Sequence, residues 1–343
     1  MVNPLVATVA RPWKRASHRK ALQISSPDGI REEGFVGIGG IEQFVTIRGQ
    51  DRANPVVLVV HGGPGSPYIP FNPWLGPWEQ RLTVVQWDQR GAGRTFVRSG
   101  RRVTDELSLD CLVNDGIGVA EHVRQLLPER PVVLLGSSVG SATGAAMAAR
   151  RPDLFTSYVA ANLFTPTSRA QSWRLTVVHA RASGNRRALA ELERVGPDVA
   201  SWTPAQAEQV SKLAIKASTG APDMVLDLIL PALMYSPDYS MSDIRAVQEG
   251  MRHSLVALHE DIAAFDMESV LGDFPVPLMA VHGERDMVNP LGCVEEALRS
   301  ARAPHVELVT VPDAGHLVEF AAVKQVGELL ARAATLGRER AES

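Results

Sequence analysis

A short apolar run that leads directly into a glycine-rich turn constrains the fold of this chain more than any other feature. Val132–Leu135 is followed by Gly136-Ser137-Ser138-Val139-Gly140 and then by the small, helix-compatible run Ala142–Ala149. This order predicts a buried strand, a tight turn and a helix, the context in which a Gly-x-Ser-x-Gly serine is held on a strained elbow. We therefore expect Ser138 to project above a sheet. The backbone N–H of Val139 should begin the helix and face any negative charge that develops there.

Composition sets the outer limits of what the chain does. With 343 residues, 45% of them hydrophobic, it can bury a large core. A net charge of −3 argues against a nucleic-acid partner, which would call for a basic face. Two cysteines, Cys111 and Cys293, are too few for a disulfide framework and fit a reducing cytoplasm. No apolar run approaches the ~20 residues that cross a bilayer. We predict a cytoplasmic protein with no membrane partner; its oligomeric state is left open.

Residues 1–34 are interpreted as an N-terminal leader, of which Met1–Lys20 is expected to be loosely attached. Met1–Ala10 is mildly apolar, but Pro4 interrupts it, and the basic residues follow it rather than precede it. That order is wrong for a secretory signal peptide. A poorly formed export signal stays open as the alternative.

The rest of the chain alternates between strand and helix patterns around one helical block. Runs of apolar and β-branched residues predict strands, and apolar spacings of three and four predict helices. Besides the elbow strand and helix, the predicted strands are Phe35–Ile38, Gln43–Ile47, Val56–Val60, Arg81–Trp87, Ser157–Ala161, Leu278–His282 and Val306–Val311, and the predicted helices are Asp105–Leu127, Pro290–Ala301 and Leu317–Leu336. Residues 163–272 predict a mainly helical cap, inserted into an α/β core formed by residues 35–162 and 273–343.

This alternation predicts an α/β fold with an open, mostly parallel sheet flanked by helices. Right-handed crossovers place the C-terminal ends of parallel strands at one edge, and ligands bind at that edge in such sheets. His61, Asp88, Gly136 and Gly283 all stand at the ends of predicted strands. We therefore expect the loops that follow these strands to converge on one site.

A serine hydroxyl needs a neighbouring base, and the base needs an orienting acid. Of nine histidines, His316 is the predicted base because it stands in a loop between the last predicted strand and the last predicted helix. Asp286 is the predicted acid because it follows a strand on the same edge and precedes His316, as the order Ser, acid, His requires. Glu284 and Asp313 are the rival acids.

The loop His61-Gly62-Gly63-Pro64-Gly65 follows a buried strand at the predicted edge. Without side chains at Gly62 and Gly63, its backbone can approach a substrate closely, so the N–H of Gly63 is the predicted second donor of an oxyanion hole beside that of Val139. Trp74 and Trp78 are candidates for lining the substrate pocket, with core packing as the alternative. Phosphate loops, dinucleotide fingerprints and metal-binding motifs are missing from the sequence, so we predict neither a cofactor nor a metal.

Taken together, the His61–Gly65 loop, the segment Asp88-Gln89-Arg90-Gly91-Ala92-Gly93-Arg94, the elbow, Asp286 and His316 resemble the prolyl iminopeptidase family of α/β-hydrolases. The resemblance covers about residues 35–160 and 275–335. It implies that Ser138, Asp286 and His316 form a catalytic triad and that Asp88, Gln89 and Arg90 brace the wall of the active site.

The chain departs from that family in two ways. The residue after the nucleophile is Val139, where the family usually has Trp. Family peptidases also use acidic cap residues to hold the free amino group of the substrate, and no matching Trp-Glu motif aligns within residues 163–272. Glu260 is the candidate for that role, with Glu249, Asp261 and Asp266 as further acids and surface solvation as the alternative for all of them.

We expect a serine hydrolase that works through an acyl-enzyme and releases an N-terminal residue from short peptides or small amides. An esterase or lactonase that acts on a small-molecule ester is the alternative. A non-catalytic ligand-binding protein built on the same fold is the alternative from a different class.

Overall fold

One sheet of eight strands runs through the computed structural model, which describes residues 4–102 and 107–341. The strands are β1 (Ile30–Ile38), β2 (Ile41–Gly49), β3 (Val56–Val60), β4 (Thr83–Asp88), β5 (Val132–Ser137), β6 (Ser157–Ala161), β7 (Leu278–Gly283) and β8 (Val306–Val311). Their order in the sheet is β1-β2-β4-β3-β5-β6-β7-β8. Strands β3 to β8 are mutually parallel, and the β1–β2 hairpin joins antiparallel to β4. The predicted α/β class with a mostly parallel sheet is confirmed.

The helices occupy both faces of the sheet and one long insertion. They are α1 (Pro4–Ala21), α2 (Gly76–Glu79), α3 (Gly93–Arg98), α4 (Leu109–Leu126), α5 (Val139–Arg150), α6 (Ser168–Ala182), α7 (Arg186–Val195), α8 (Pro204–Ala217), α9 (Leu230–Tyr235), α10 (Met241–Ala257), α11 (His259–Ala264), α12 (Met267–Leu271), α13 (Leu291–Ser300), α14 (Val318–Ala321) and α15 (Val323–Ala341). Short 3₁₀ turns cover Ile69–Trp74, Pro152–Leu154 and Val199–Ser201, and a π-helical turn covers Met224–Ile229. The predicted start of the helix at Asp105 lies outside the described residues, and α4 itself is capped by the Ser108 hydroxyl, which accepts from the N–H of Cys111.

The central strands are buried on both faces, as their unbroken apolar runs predict. On one face, apolar residues of α4, α5, α12 and α13 pack against the sheet. On the other face, residues of α2, α14 and α15 form a second cluster with the strands. Because an apolar core packs on each face of the sheet, the strands are held in fixed positions. The loops that follow the strand ends are therefore also positioned by the two cores.

The predicted helical insertion is present between β6 and β7. Helices α6 to α12 follow one another there, and residues 163–272 contain no strand. The first three helices have a small core of their own, built from Val177, Ala180, Ala188, Leu192, Trp202, Ala207 and Val210. We keep the name cap for residues 163–272.

The first strand begins earlier than predicted, at Ile30 rather than Phe35. Three charged residues follow one another in Arg31-Glu32-Glu33, a pattern that does not indicate a buried strand. They are tolerated because β1 is an edge strand, so these side chains stay partly or fully exposed while the backbone pairs with β2. The sheet therefore starts inside the segment interpreted as a leader.

The expectation of a loosely attached segment over Met1–Lys20 is wrong for the part that the structure describes; Met1–Asn3 lie outside it. Helix α1 lies against the cap, where Arg15 donates hydrogen bonds to the carbonyls of Pro237 and Tyr239 at 2.8 and 2.7 Å. Arg11 donates to the carbonyls of Met234 and Tyr239 at 2.9 and 3.2 Å. Such bonds are invisible in the sequence because the acceptors are backbone atoms more than 200 residues away. No described helix combines the length and the apolar character needed to cross a membrane.

Candidate active site

Ser138 stands on a strained turn between β5 and α5. Its backbone has φ 53° and ψ −127°, a conformation that costs free energy for a residue with a side chain. The turn is tight enough that a Cβ on Gly136 would lie 2.7 Å from the carbonyl oxygen of Gly140. A Cβ on Gly140 would collide with the backbone of Val60 and His61. Both glycines are therefore required by close packing, and the turn they permit presents the Ser138 side chain at the C-terminal edge of the sheet.

The structure brings Ser138, His316 and Asp286 into one hydrogen-bonded chain. His316 Nε2 is 2.9 Å from Ser138 Oγ, and His316 Nδ1 is 2.7 Å from Asp286 Oδ2. With Nδ1 protonated and donating to the carboxylate, Nε2 is free to accept the serine proton. All three side chains are buried, with residue exposures of 8% for Ser138, 3% for Asp286 and 8% for His316. Geometry of this kind allows a hydroxyl to lose its proton as it attacks.

Electrostatics within the chain favour an ionised acid beside a basic imidazole. Burial alone would raise the pKa of Asp286, but the charge of His316 and the hydrogen bond between them outweigh it, so the pKa lies below its ordinary value. Burial likewise opposes protonation of His316, yet the Asp286 carboxylate raises the pKa of the imidazole above its ordinary value. The N–H groups of Val288 and Asn289 also donate to Asp286 Oδ1, at 2.8 and 3.0 Å, and fix the carboxylate.

The two rival acids lie elsewhere. Glu284 is exposed and accepts from the Thr310 hydroxyl at 2.9 Å. Asp313 is exposed in the loop before His316. Neither has a hydrogen bond to the imidazole in the described part of the chain, so Asp286 is the acid that the fold aligns with His316.

The predicted oxyanion loop lies directly against the elbow. A Cβ on Gly62 would stand 2.8 Å from Ser138 Cβ, so only glycine fits there without displacement. Gly63 has φ 120°, which also favours glycine. Across residues 4–102 and 107–341, neither the N–H of Gly63 nor that of Val139 is taken up by a protein acceptor. The structure places both groups on segments that meet at Ser138.

His61 holds this loop in place as a neutral ring. Burial lowers its pKa to about 4. Its Nε2 accepts from the N–H of Gln89 at 3.2 Å, which leaves Nδ1 to donate to the carbonyl of Gly62 at 3.0 Å. The Gln89 side chain closes the arrangement by donating to the His61 carbonyl at 2.8 Å.

The loop after β4 joins the site to the rest of the core and to the cap. Arg90 forms a buried ion pair with Asp115 at 3.0 Å and donates to the Gly39 carbonyl at 2.6 Å. Asp88 Oδ2 accepts from the cap hydroxyl of Tyr239 at 2.6 Å and from the N–H of Arg94 at 2.7 Å. Asp88 Oδ1 is buried and has no hydrogen-bond partner in the described residues. That Asp88, Gln89 and Arg90 brace the wall of the active site stays a prediction.

The predicted substrate-binding residues fare differently. Of the two interpretations of Trp78, pocket lining and core packing, the structure shows core packing: it is 1% exposed and its indole N–H donates to the Val323 carbonyl at 2.6 Å, under α15. Trp74 is half-buried and packs edge-to-face with Phe71, with 5.2 Å between the ring centroids. Glu260 is exposed on α11, and none of the described hydrogen bonds or ion pairs connects it to Ser138, Asp286 or His316.

A buried carboxylate that the sequence does not point to lies beside the elbow. Glu319 is 1% exposed and accepts hydrogen bonds from the Ser137 hydroxyl and from the Asn162 amide, the latter at 2.8 Å. The Tyr68 hydroxyl is also hydrogen-bonded to the Ser137 hydroxyl, with 2.9 Å between the two oxygens. Burial raises the pKa of Glu319, and its charge in turn raises the pKa of His316. Its position three residues after His316 is the only sequence signal for this group.

Comparison with known proteins assigns the chain to a family. It is 21% identical over 285 residues to a probable aminopeptidase from Bacillus subtilis (strain 168), covering 82% of this chain and 89% of the relative. It is 24% identical to a 2-(acetamidomethylene)succinate hydrolase from Mesorhizobium japonicum, covering 82% and 88%. A proline iminopeptidase-related protein from Thermus thermophilus shares the fold, with a TM-score of 0.59, 20% identity and coverage of 90% of this chain and 98% of that one. Residues 55–320 match the family described as alpha/beta hydrolase fold, to which this chain therefore belongs.

Proposed function

We propose that this α/β-hydrolase is a serine hydrolase in which Ser138 is the nucleophile, His316 the general base and Asp286 the orienting acid. The observation that carries the proposal is the hydrogen-bonded chain from Asp286 through His316 to Ser138 Oγ, with the serine on a strained elbow. A merely structural serine gains nothing from such strain, which costs on the order of 1–3 kcal/mol.

In the proposed reaction, Ser138 Oγ attacks the substrate carbonyl carbon while His316 Nε2 takes its proton. The carbonyl electron pair moves onto oxygen, where the N–H groups of Gly63 and Val139 stabilise the charge. Collapse of this intermediate breaks the bond to the leaving group, which takes the proton from His316 and departs. Water, deprotonated by His316, then attacks the acyl carbon; the bond to Ser138 Oγ breaks, Oγ takes the proton back from His316, and the acid is released.

We expect Ser138→Ala to lower kcat by roughly 10⁶-fold, because the nucleophile and its base act as a unit. Turnover of an activated acyl ester measures this, and labelling by a fluorophosphonate followed by intact-protein mass spectrometry locates the nucleophile. The matched control is Ser137→Ala, a buried serine in the same turn whose hydroxyl contacts Glu319 instead of His316. Near-normal turnover in Ser138→Ala, or failure of the probe to label residue 138, contradicts the proposal.

For the substrate we propose a short peptide or small amide from which an N-terminal residue is released. The sequence resemblance to prolyl iminopeptidases supports this, as do the relative named as a probable aminopeptidase and the proline iminopeptidase-related structure. Hydrolysis of aminoacyl-naphthylamides, with strict dependence on a free α-amino group, tests it.

A second candidate is the hydrolysis of small-molecule amides or esters without a free amino group. Three of the cap acids that could hold an ammonium have other partners. Glu249 pairs with Arg101 at 3.3 Å, Asp261 accepts from the N–H of Leu109 at 2.7 Å, and Asp266 caps α12. The relative named as a 2-(acetamidomethylene)succinate hydrolase is consistent with this candidate. Faster turnover of short acyl esters than of aminoacyl-naphthylamides favours it, whereas tight binding without turnover of either class favours a non-catalytic role.

A further inference from the structure

Arg169 lies in the first turn of α6, between two points at which the cap is attached to the candidate site. Before it, the N–H of Phe164 donates to Ser141 Oγ at 2.9 Å, in the helix that begins at the elbow. After it, the hydroxyl of Ser172 donates to the carbonyl of Met287 at 2.6 Å, next to the acid Asp286. The backbone around Arg169 is thus held between the nucleophile elbow and the acid loop.

Arg169 is half-buried and carries no internal counter-ion. In the described part of the chain, its guanidinium has neither an ion pair nor a hydrogen bond. The more deeply buried arginines differ: Arg48 pairs with Glu79 at 2.7 Å and Arg90 with Asp115 at 3.0 Å. Removal from water, with no opposing carboxylate, lowers the pKa of Arg169. Partial burial of an unpaired cation costs free energy and is usually offset by a partner.

We propose that Arg169 binds an anionic group of the substrate, so that the substrates of this hydrolase carry a carboxylate close to the scissile bond. A guanidinium presents paired N–H donors that match a carboxylate in two parallel hydrogen bonds. For a peptide, the carboxylate is the C-terminus of a dipeptide; for a small-molecule amide or ester, it is a second acid group. The inference rests on the proposed function of the Ser138 site.

Matched substrate pairs test this inference. One pair is a dipeptide with a free C-terminal carboxylate and the same dipeptide as its amide; the other is a nitrophenyl hemisuccinate and the neutral nitrophenyl butyrate. Wild-type enzyme should prefer the anionic member, chiefly through a lower KM. Arg169→Gln should reduce kcat/KM for the anionic member by ~10- to 100-fold, the range of a charge-assisted hydrogen bond, and change the neutral member less than ~3-fold.

The control is Arg174→Gln, which removes an exposed arginine from the same helix and should change neither substrate. Arg169→Lys should restore part of the preference, because it keeps the charge but not the paired donors. Equal losses on both members of a pair in Arg169→Gln, or no preference in the wild type, overturn the proposal.

A binding measurement separates this inference from the proposed function. In the Ser138→Ala background, calorimetric titration with succinate should show binding that Arg169→Gln abolishes and Arg174→Gln leaves intact. If Ser138 is not the nucleophile, turnover of all four substrates will be insensitive to Ser138→Ala, whatever the succinate titration shows. If Arg169 does not bind anions, Ser138-dependent turnover persists while succinate binding is absent or independent of residue 169.

Discussion

The side chains of Ser138, His316 and Asp286 differ in how readily a sequence shows their roles. Ser138 is marked by its flanking glycines, and His316 and Asp286 by their positions after predicted strands. Each signal is local, and the parallel sheet converts it into proximity because the strands end at one edge. The sequence therefore predicted which side chains come together where each follows the end of a strand, and their catalytic roles stay a prediction.

Trp78 and Glu319 show where the surroundings of a residue could not be predicted from the sequence. Trp78 and Trp74 stand in one Pro-rich loop, and only the packing of α15 decides which of them is enclosed. Glu319 reads as an ordinary helix residue, yet it is buried because Ser137 and Asn162 come from two other strand ends to meet it. Contacts between distant parts of the chain leave no periodic trace in a sequence.

The raised pKa of His316 predicts a pH dependence for the proposed reaction. The neutral imidazole is the base, so kcat/KM should rise with pH through a midpoint above the ordinary value of about 6.5 and fall as the pH drops below it. Asp286→Asn removes the charge that raises this pKa. It should move the midpoint to lower pH while reducing kcat by about 10⁴-fold.

The measurement is a pH profile of kcat/KM for an activated ester in the wild type and in Asp286→Asn. Asp313→Asn, which alters the exposed rival acid, serves as the control and should leave the midpoint unchanged. A midpoint at or below about 6.5 in the wild type, or one that does not move in Asp286→Asn, would show that the carboxylate does not act on His316 as described.

At the scale of elements, strand β4 ends in a buried acid that connects the core to the cap. Burial raises the pKa of Asp88 from 3.8 to about 7, although the bonds from Tyr239 and Arg94 oppose the rise. A carboxyl that holds its proton more tightly when folded than when unfolded costs stability as it ionises. The cost is absent below about pH 4 and grows as the pH rises towards 7.

Asp88→Asn cannot ionise, so its free energy of unfolding relative to the wild type should increase between about pH 4 and 7, by up to about 4 kcal/mol. Urea unfolding at several pH values measures the difference. Asp273→Asn, at an exposed aspartate, is the control and should show a flat difference. A flat difference for Asp88→Asn as well would mean that residue 88 titrates alike in the folded and unfolded states.

Elements buried on both faces were predicted well, and elements at the periphery were not. Val56–Val60 coincides with β3 because an unbroken β-branched run admits few alternatives. In β1, the charged residues conceal a strand, since one edge of it faces water. In α1, attachment depends on backbone carbonyls of the cap, whose acceptor positions no residue type encodes.

At the scale of the whole molecule, α1 and the cap form a connected unit through Arg11 and Arg15. The double variant Arg11→Ala/Arg15→Ala should lower the local opening free energy of the segment Leu230–Tyr239 by about 1–3 kcal/mol, since each lost hydrogen bond is worth on the order of 1 kcal/mol. Faster amide hydrogen exchange in that segment, with β3 and β5 unchanged, is the expected result.

The control for that experiment is Lys14→Ala/Lys20→Ala, which removes two exposed charges from the same helix. Unchanged exchange in the arginine variant would mean that the contacts from α1 do not stabilise this segment of the cap. Equal acceleration in both variants would assign the effect to charge rather than to the carbonyl contacts.

The cap leaves the sheet after β6 and returns at β7, and these two strands are direct neighbours. The N–H of Asn162, just past the exit, donates to the carbonyl of Val281, near the C-terminal end of β7. Because the two strands are parallel, the insertion leaves the C-terminal edge of the sheet and returns to its N-terminal edge as a crossover connection, in which α12 packs on one face of the sheet. A lineage can vary the helices that precede α12, including the one with the arginine proposed to bind an anion, and acquire new substrates while the order of the strands is inherited intact.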